Sequence, residues 1–146
     1  MDARVETLIV EDNDSDAELT VRALKKNNIV NHFHVKNGAE ALDFLFAQGK
    51  YQGRDVENGP KVVVLDLKMP KVNGIDVIRK MKADERTKNI PIVVLTASNE
   101  ELDKETCYEL GVNSYVVKPT ELEHFYKAIS SVAFYWMITR QVPKQL

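Results

Sequence analysis

The chain has 146 residues, of which 44% are hydrophobic and 29% are charged, an ordinary composition for a globular protein. A length near 150 residues predicts one domain over residues 1–146, with a loose tail at 139–146. The 20 basic and 22 acidic residues give a net charge of −2. This balance argues against nucleic-acid binding, which depends on clustered Lys and Arg.

Cysteine content and hydropathy indicate a cytoplasmic protein. Cys107 is the single cysteine, so the chain has no pair for an internal disulfide, which is typical of a reducing compartment. We interpret it as a small helix residue. No apolar run approaches the roughly 18 residues of a membrane span. Asp2 and Glu6 lie where a signal peptide would be basic and then apolar. We therefore expect no membrane contact.

Short runs rich in Val, Ile and Leu recur along the chain and predict β-strands. The strongest runs lie at residues 7–10, 62–65, 92–95 and 115–117. Because consecutive positions are apolar, these strands are expected to be buried on both faces of a sheet. A fifth run at 32–36 alternates between polar and apolar residues, which is typical of an edge strand.

Segments with helical spacing follow each of these runs. Helices are predicted from Asp14, over 38–47, 74–83 and 99–110, and from Thr120 onward. Five βα units with buried strands predict a five-stranded parallel sheet, doubly wound, with helices on both faces. The connection at 48–60 is long and rich in Gly and polar residues. It is either a tolerated surface insertion or a loop that contacts a partner.

Polar residues follow four of the predicted strands, and their chemistry suits a phosphoryl site. Glu11 and Asp12 follow the first strand, Asp66 the third, Thr96 the fourth and Lys118 the fifth. The carboxyl ends of parallel strands share one edge, where ligands of such sheets bind. Each residue alone is more typical of a capping or solvated position. The order of all of them along five βα units carries the prediction.

Three carboxylates at one edge repel one another unless a cation neutralises them. A hard divalent ion such as Mg²⁺ prefers oxygen ligands and commonly binds carboxylates together with a phosphate. The positive charge of Lys118 can bind a phosphate, and the Thr96 hydroxyl can donate a hydrogen bond to a phosphate oxygen. A carboxylate can act as a nucleophile and become an aspartyl phosphate. These residues therefore predict phosphoryl transfer to a carboxylate.

Residues 8–12, 64–74, 91–97 and 111–119 resemble the receiver domains of two-component response regulators. The similarity runs from about residue 5 to 138 and implies the flavodoxin-like receiver fold. It also implies that Asp66 accepts a phosphoryl group from a histidine kinase or a phosphotransfer protein. Glu11, Asp12, Asp66 and the backbone carbonyl of Lys68 would then bind Mg²⁺ or Mn²⁺.

The same resemblance implies a conformational switch. Lys118 would pair with the phosphoryl oxygens, and the peptide bond to Pro119 would be cis. Thr96 would move toward the phosphoryl group, and Tyr115 would rotate inward with it. Lysine at position 68 is not the commonest choice of the family, and its charge would alter the rate of dephosphorylation.

A narrower resemblance points to the stand-alone receivers that partner phytochrome-type histidine kinases. It rests on residues 43–51, the long connection and an aromatic C-terminal helix. Nine residues after Met137 leave no room for a DNA-binding domain, so the expected output is protein contact. The hypothesis is a homodimer through the fourth and fifth helices and the fifth strand; the alternative is that the aromatic residues of the last helix are simply scattered over the surface. The aromatic residues behind this expectation are Phe125, Tyr126, Phe134, Tyr135 and Trp136.

Three other functions fit the sequence less well. A phosphatase or phosphotransferase with an aspartyl nucleophile would need a general acid at position 68, where Lys68 stands. A nucleotide-binding domain would need a glycine-rich phosphate loop, which the chain lacks. A pseudo-receiver that acts only as a scaffold usually lacks one of the site residues, and all are present here.

Overall fold

A computed structural model describes residues 5–69, 71–118, 123 and 126–130. Within these residues, strands and helices alternate along the chain. The strands are β1 (Thr7–Val10), β2 (His32–Val35), β3 (Val62–Leu65), β4 (Ile92–Thr96) and β5 (Ser114–Val117). The helices are α1 (Asp14–Lys26), α2 (Gly38–Leu45), α3 (Gly74–Lys82) and α4 (Glu101–Glu109). Residues 126–130 are also helical and are called α5.

The five strands form one parallel sheet in the order β2-β1-β3-β4-β5. The prediction of a doubly wound parallel sheet is therefore confirmed, and β2 is an edge strand as expected. The strand order reverses between β1 and β3, since the chain leaves β1 toward β2 and returns on the other side. In such sheets, the crevice at this reversal is the usual ligand site.

Alternation along each strand sends side chains into two apolar layers. Leu8 and Val10 of β1 belong to the layer beneath α2, α3 and α4, together with Val77, Ile78 and Cys107. Ile9 points to the opposite layer, which contains residues of α1 and α5. All four residues of β1 and of β3 are buried. Burial on both faces explains why these strands are apolar at consecutive positions.

Helix α1 begins at Asp14, as predicted, but its cap lies outside the cluster of acids. Asn13 is its cap, and the Asn13 side chain accepts a hydrogen bond from the backbone N–H of Asp16, 2.9 Å away. Asparagine is among the best residues at this position. Asp14 and Asp16 therefore lie in the first turn, where their charge favours the helix dipole.

Helix α4 is shorter than predicted, at Glu101–Glu109 instead of 99–110. Ser98 and Asn99 are not its cap: Glu100 holds that position without a side-chain hydrogen bond. The Ser98 hydroxyl instead donates to a carboxylate oxygen of Asp103, 2.6 Å away. Helix α2 also ends early, at Leu45, because Ala47 has a positive φ of 54°.

The 48–60 connection is packed against the domain by aromatic contacts. It contains two 3₁₀ turns, Gly49–Tyr51 and Val56–Asn58. The Tyr51 ring meets the Phe44 ring edge-on at 5.2 Å, and Phe44 stacks on Phe33 at 5.0 Å. The Arg54 guanidinium lies 3.7 Å from the Phe44 ring centre and donates to the Phe44 carbonyl. These contacts hold the segment against α2 and β2.

Several predictions fall outside the described residues. They are the helix start at Thr120, the cis peptide bond to Pro119, the tail at 139–146 and the aromatic residues Phe125, Phe134, Tyr135 and Trp136. Tyr126 is described and lies 4.7 Å beneath the Lys26 ammonium. Among the described helices, none has the length and apolar character needed to cross a bilayer.

Candidate functional site

The structure brings together the three predicted metal-binding carboxylates. Glu11 and Asp12 follow β1, and Asp66 follows the neighbouring strand β3. One carboxylate oxygen from each residue lies within 4.8 Å of the others. Glu11 and Asp66 are buried, whereas Asp12 is exposed. The cluster therefore lies at the strand reversal, with one side open to solvent.

Lys118 follows β5 and reaches the same cluster. Its ammonium lies 2.8 Å from a carboxylate oxygen of Glu11 and 3.2 Å from Oδ2 of Asp66. The backbone N–H of Lys118 donates to the carbonyl of Thr96, 2.6 Å away, at the ends of β4 and β5. Because β4 separates β5 from β3 in the sheet, only a long side chain can span this distance. The predicted grouping of Lys118 with the carboxylates is therefore present.

A third carboxylate contacts Lys118, and the sequence had not indicated it. Oδ2 of Asp16, in the first turn of α1, lies 2.8 Å from the Lys118 ammonium. The sequence accounts for Asp16 as a residue that favours the helix dipole. The one further indication of a role in the site is that Asp16 lies at the start of the helix that follows Glu11 and Asp12.

Burial and charge perturb the ionisable groups of the site. Burial raises the pKa of Glu11 to about 7, and the charge of Asp66 adds to this, although Lys118 acts in the opposite direction. Burial also disfavours the charged form of Lys118. Hydrogen bonds with Asp16 and Glu11 and the charge of Asp66 outweigh it, so the pKa of Lys118 lies above its ordinary value. The ammonium is therefore charged at neutral pH.

The donor set fits a hard divalent cation. Glu11, Asp12 and Asp66 offer only oxygen atoms, the ligands that Mg²⁺ and Mn²⁺ prefer. One oxygen of each carboxylate lies within 4.8 Å of the others, close enough that one small cation could contact all three. Lys118 supplies one positive charge to three carboxylates. A divalent cation would balance the negative charge that remains.

Asp66 is held by close backbone packing between the end of β3 and the start of α3. Its Oδ1 accepts a hydrogen bond from the backbone N–H of Lys68, 3.3 Å away. Gly74 donates to the carbonyl of Leu67, 3.0 Å away. A Cβ at Gly74 would lie 2.4 Å from the Asp66 carbonyl oxygen, so glycine is required here. The backbone carbonyl of Lys68 as a metal ligand stays a prediction.

The two predicted switch residues meet at Ser98. Thr96 is fully buried, and its hydroxyl oxygen accepts a hydrogen bond from the backbone N–H of Ser98, 3.3 Å away. The Tyr115 hydroxyl donates to the Ser98 carbonyl, 2.8 Å away. The Ser98 hydroxyl binds Asp103, which lies 3.6 Å from the Lys68 ammonium. The loop after β4 is therefore linked to α4, β5 and the acceptor loop, while the movement of Thr96 and Tyr115 stays a prediction.

An open cleft of about 510 Å³ adjoins the cluster. Its lining residues come from the acceptor loop, the start of α3 and α4, and they are Asp12, Leu67, Lys68, Met69, Asn73, Ile75 and Asp103. Asp12 and Lys68 are exposed. The carboxylate of Asp12 is thus open to solvent through this cleft.

The fold and the site define a class of protein. The family model of the response regulator receiver domain matches residues 7–130, so the chain belongs to this family. It is a signalling phosphoacceptor rather than a classical enzyme, which sets aside the phosphatase interpretation.

Relatives place it more narrowly within the family. Response regulator Rcp1 of Synechocystis is 35% identical over 139 residues, which cover 93% of this chain and 91% of Rcp1. The structure of the phosphorylated cyanobacterial phytochrome response regulator RcpA matches with a TM-score of 0.85 and 31% identity, over 97% of this chain and 100% of RcpA. The structure of the Mn²⁺-bound form of Rcp1 matches with a TM-score of 0.83 and 34% identity, over 94% of this chain and 98% of Rcp1. The resemblance to phytochrome response regulators is thereby confirmed.

Proposed function

We propose that this receiver accepts a phosphoryl group on Asp66 from a phosphohistidine of a histidine kinase or phosphotransfer protein, in a reaction that requires Mg²⁺ or Mn²⁺. The observation that carries the proposal is the position of the Asp66 carboxylate. This carboxylate clusters with those of Glu11 and Asp12 and lies 3.2 Å from the Lys118 ammonium. The cluster lies at the strand reversal, beside an open cleft. A partner kinase of the phytochrome type is proposed from the relatives, which include the phytochrome response regulator RcpA.

The transfer exchanges one bond to phosphorus for another. An oxygen of Asp66 attacks the phosphorus atom, and the P–N bond of the phosphohistidine breaks. The electron pair of that bond stays with the imidazole nitrogen, and the new P–O bond makes an acyl phosphate. The product carries about −1.5 to −2 charges. Lys118, already 3.2 Å from Asp66, offsets part of this charge through its ammonium.

The side chains of Glu11, Asp12 and Asp66, with the backbone carbonyl of Lys68, would hold the divalent cation. When bound, this ion supplies positive charge and orients the phosphoryl oxygens. The spacing and all-oxygen chemistry of the cluster support this assignment. The relative Rcp1 has been solved in a Mn²⁺-bound form.

The proposed signal passes through Ser98. If the Thr96 hydroxyl turns to a phosphoryl oxygen, the backbone N–H of Ser98 loses its acceptor, and the loop after β4 must adjust. Tyr115 and Asp103 both bind Ser98, so the adjustment reaches β5 and α4. A few charge-assisted hydrogen bonds, about 1.5–3 kcal/mol each, are enough to bias such a switch.

The proposed output is protein contact, including a homodimer through α4, β5 and α5. Two large apolar side chains of α4 support this, since Leu102 is 71% exposed and Tyr108 is 55% exposed. Sedimentation of the protein with Mg²⁺, before and after addition of beryllofluoride, tests the dimer. A monomer in both states at high concentration would contradict it.

Intact-mass measurement after incubation with acetyl phosphate and Mg²⁺ tests the phosphoacceptor proposal. The wild type should gain the mass of one phosphoryl group, and EDTA should prevent the gain. Asp66→Asn should gain nothing. Asp76→Asn, which removes an exposed acid whose ion-pair partner among the described residues is Arg79, is the matched control and should behave as wild type. A wild type that gains no mass and responds to no divalent ion would favour the scaffold function instead.

A further inference from the structure

The Lys118 ammonium is fully engaged in this structure. A lysine ammonium has three N–H donors. Among the residues that the structure describes, it has three carboxylate partners, at 2.8 Å in Glu11, 2.8 Å in Asp16 and 3.2 Å in Asp66. A phosphoryl group on Asp66 adds oxygen acceptors that need the same donors. Phosphorylation turns the Asp66 carboxylate into an acyl phosphate, so the N–H that points at Asp66 can pass to a phosphoryl oxygen. Any further contact between Lys118 and the phosphoryl group requires the ammonium to release Glu11 or Asp16.

The three partners differ in how easily they can be released. The side chains of Glu11 and Asp66 are 6% and 7% exposed, whereas that of Asp16 is 34% exposed. A carboxylate that water can reach regains solvation when its partner leaves, and a buried one does not. Asp16 also lies in the first turn of α1, where the helix dipole favours its negative charge. Asp16 is thus the partner whose release costs least.

We propose that Asp16 is a positioning residue that competes with the phosphoryl group for Lys118. It holds the ammonium in the unphosphorylated receiver and releases it when Asp66 is phosphorylated. The inference rests on the proposed function of Asp66. Asp16 then influences the balance between the unphosphorylated and the phosphorylated receiver, because its contact with Lys118 is present in the first state and lost in the second.

The neighbouring residue Asp14 provides a matched control. It lies in the same turn of α1 and carries the same charge, but it pairs with Lys36 at 3.2 Å and is 73% exposed. Asp14→Asn therefore removes an equal charge from the same helix terminus without touching Lys118. Asp16→Glu keeps a carboxylate and should retain wild-type behaviour.

The first measurement uses the metal-free protein in EDTA. The rate at which acetic anhydride acetylates Lys118 is followed by peptide mass spectrometry in wild type, Asp16→Asn, Asp16→Glu and Asp14→Asn. Loss of a partly exposed ion pair shifts the equilibrium between the paired and the free ammonium by about two- to fivefold. Asp16→Asn should raise the Lys118 rate by this factor, whereas Asp14→Asn should leave it unchanged. Circular dichroism of each variant verifies that it folds.

The second measurement is the affinity for beryllofluoride in the presence of Mg²⁺. Asp16→Asn should bind it about two- to fivefold more tightly than wild type, with Asp14→Asn and Asp16→Glu at the wild-type value. If either the acetylation rate or the affinity is the same in Asp16→Asn and Asp14→Asn, the inference is overturned while the proposed function stands. If wild type binds no beryllofluoride, the proposed function fails and the inference fails with it.

Discussion

Replacing Lys118 by Met should destabilise the metal-free receiver and tighten its binding of Mg²⁺. The substitution leaves Glu11 and Asp66 buried without their cation, and Asp16 free to turn toward water. Removing one partner of a buried ion pair costs about 3–5 kcal/mol. Because one side of this cluster is open, we expect about 2–4 kcal/mol, a large part of the roughly 5–15 kcal/mol that stabilises a typical domain.

The effect on Mg²⁺ has the opposite sign, because Lys118 and the cation neutralise the same carboxylates. Two unit charges 4 Å apart interact by about 4 kcal/mol near a protein surface, before screening by salt. We expect Mg²⁺ to bind Lys118→Met about tenfold more tightly. By linkage, saturating Mg²⁺ should then recover about 1.4 kcal/mol more stability in the variant than in wild type.

Urea unfolding in EDTA and in saturating Mg²⁺, together with Mg²⁺ titration by calorimetry, measures both effects. Lys36→Met is the matched control, since Lys36 pairs with Asp14 at the surface and is 61% exposed. It should cost less than about 1 kcal/mol and leave the Mg²⁺ affinity unchanged. The reasoning would be refuted if both variants lost equal stability in EDTA, or if Mg²⁺ stabilised them equally.

Three further predictions concern packing, at the acceptor loop, in the core beneath α4 and at the 48–60 connection. Gly74→Ala places a Cβ 2.4 Å from the acceptor's carbonyl oxygen, so urea unfolding should show a loss of about 1–3 kcal/mol. Gly53→Ala, with nothing within 4 Å, should be neutral, and equal effects would contradict this account. Burial raises the pKa of Cys107 to about 11. At pH 8, iodoacetamide should therefore alkylate the native thiol at least about a hundredfold more slowly than the thiol of the urea-unfolded protein. Comparable rates would show that the thiol is not buried. Arg54→Ala removes the guanidinium that stacks on Phe44 and donates to its carbonyl, and should cost about 1–2 kcal/mol in urea unfolding; no loss would mean that the 48–60 connection is not anchored there.

The sequence predicted the sheet well because burial on both faces leaves a direct mark. Consecutive apolar residues at 62–65 are typical of a strand buried on both faces, and the alternation at 32–36 identified the edge strand. The carboxylate cluster was predictable for a related reason. Parallel strands end at one edge, so the residues after β1 and β3 were expected to meet, and they do.

Contacts between distant segments could not be predicted. Asp16 and Lys118 are 102 residues apart, and no local pattern connects them. Ser98 was expected to cap α4, but its hydroxyl binds Asp103, a contact that depends on how the loop folds back. Likewise, the polar composition of 48–60 gave no sign that Arg54 would stack on Phe44.

Chemical mapping of the phosphorylated residue tests the central claim most directly. The protein is treated with acetyl phosphate and Mg²⁺, then with sodium borohydride, which reduces an aspartyl phosphate to homoserine. Peptide mass spectrometry then locates the product. We expect homoserine at position 66 alone, and none when EDTA replaces Mg²⁺. A reduced acid at position 11, 12 or 16, or no reduced residue at all, would contradict it.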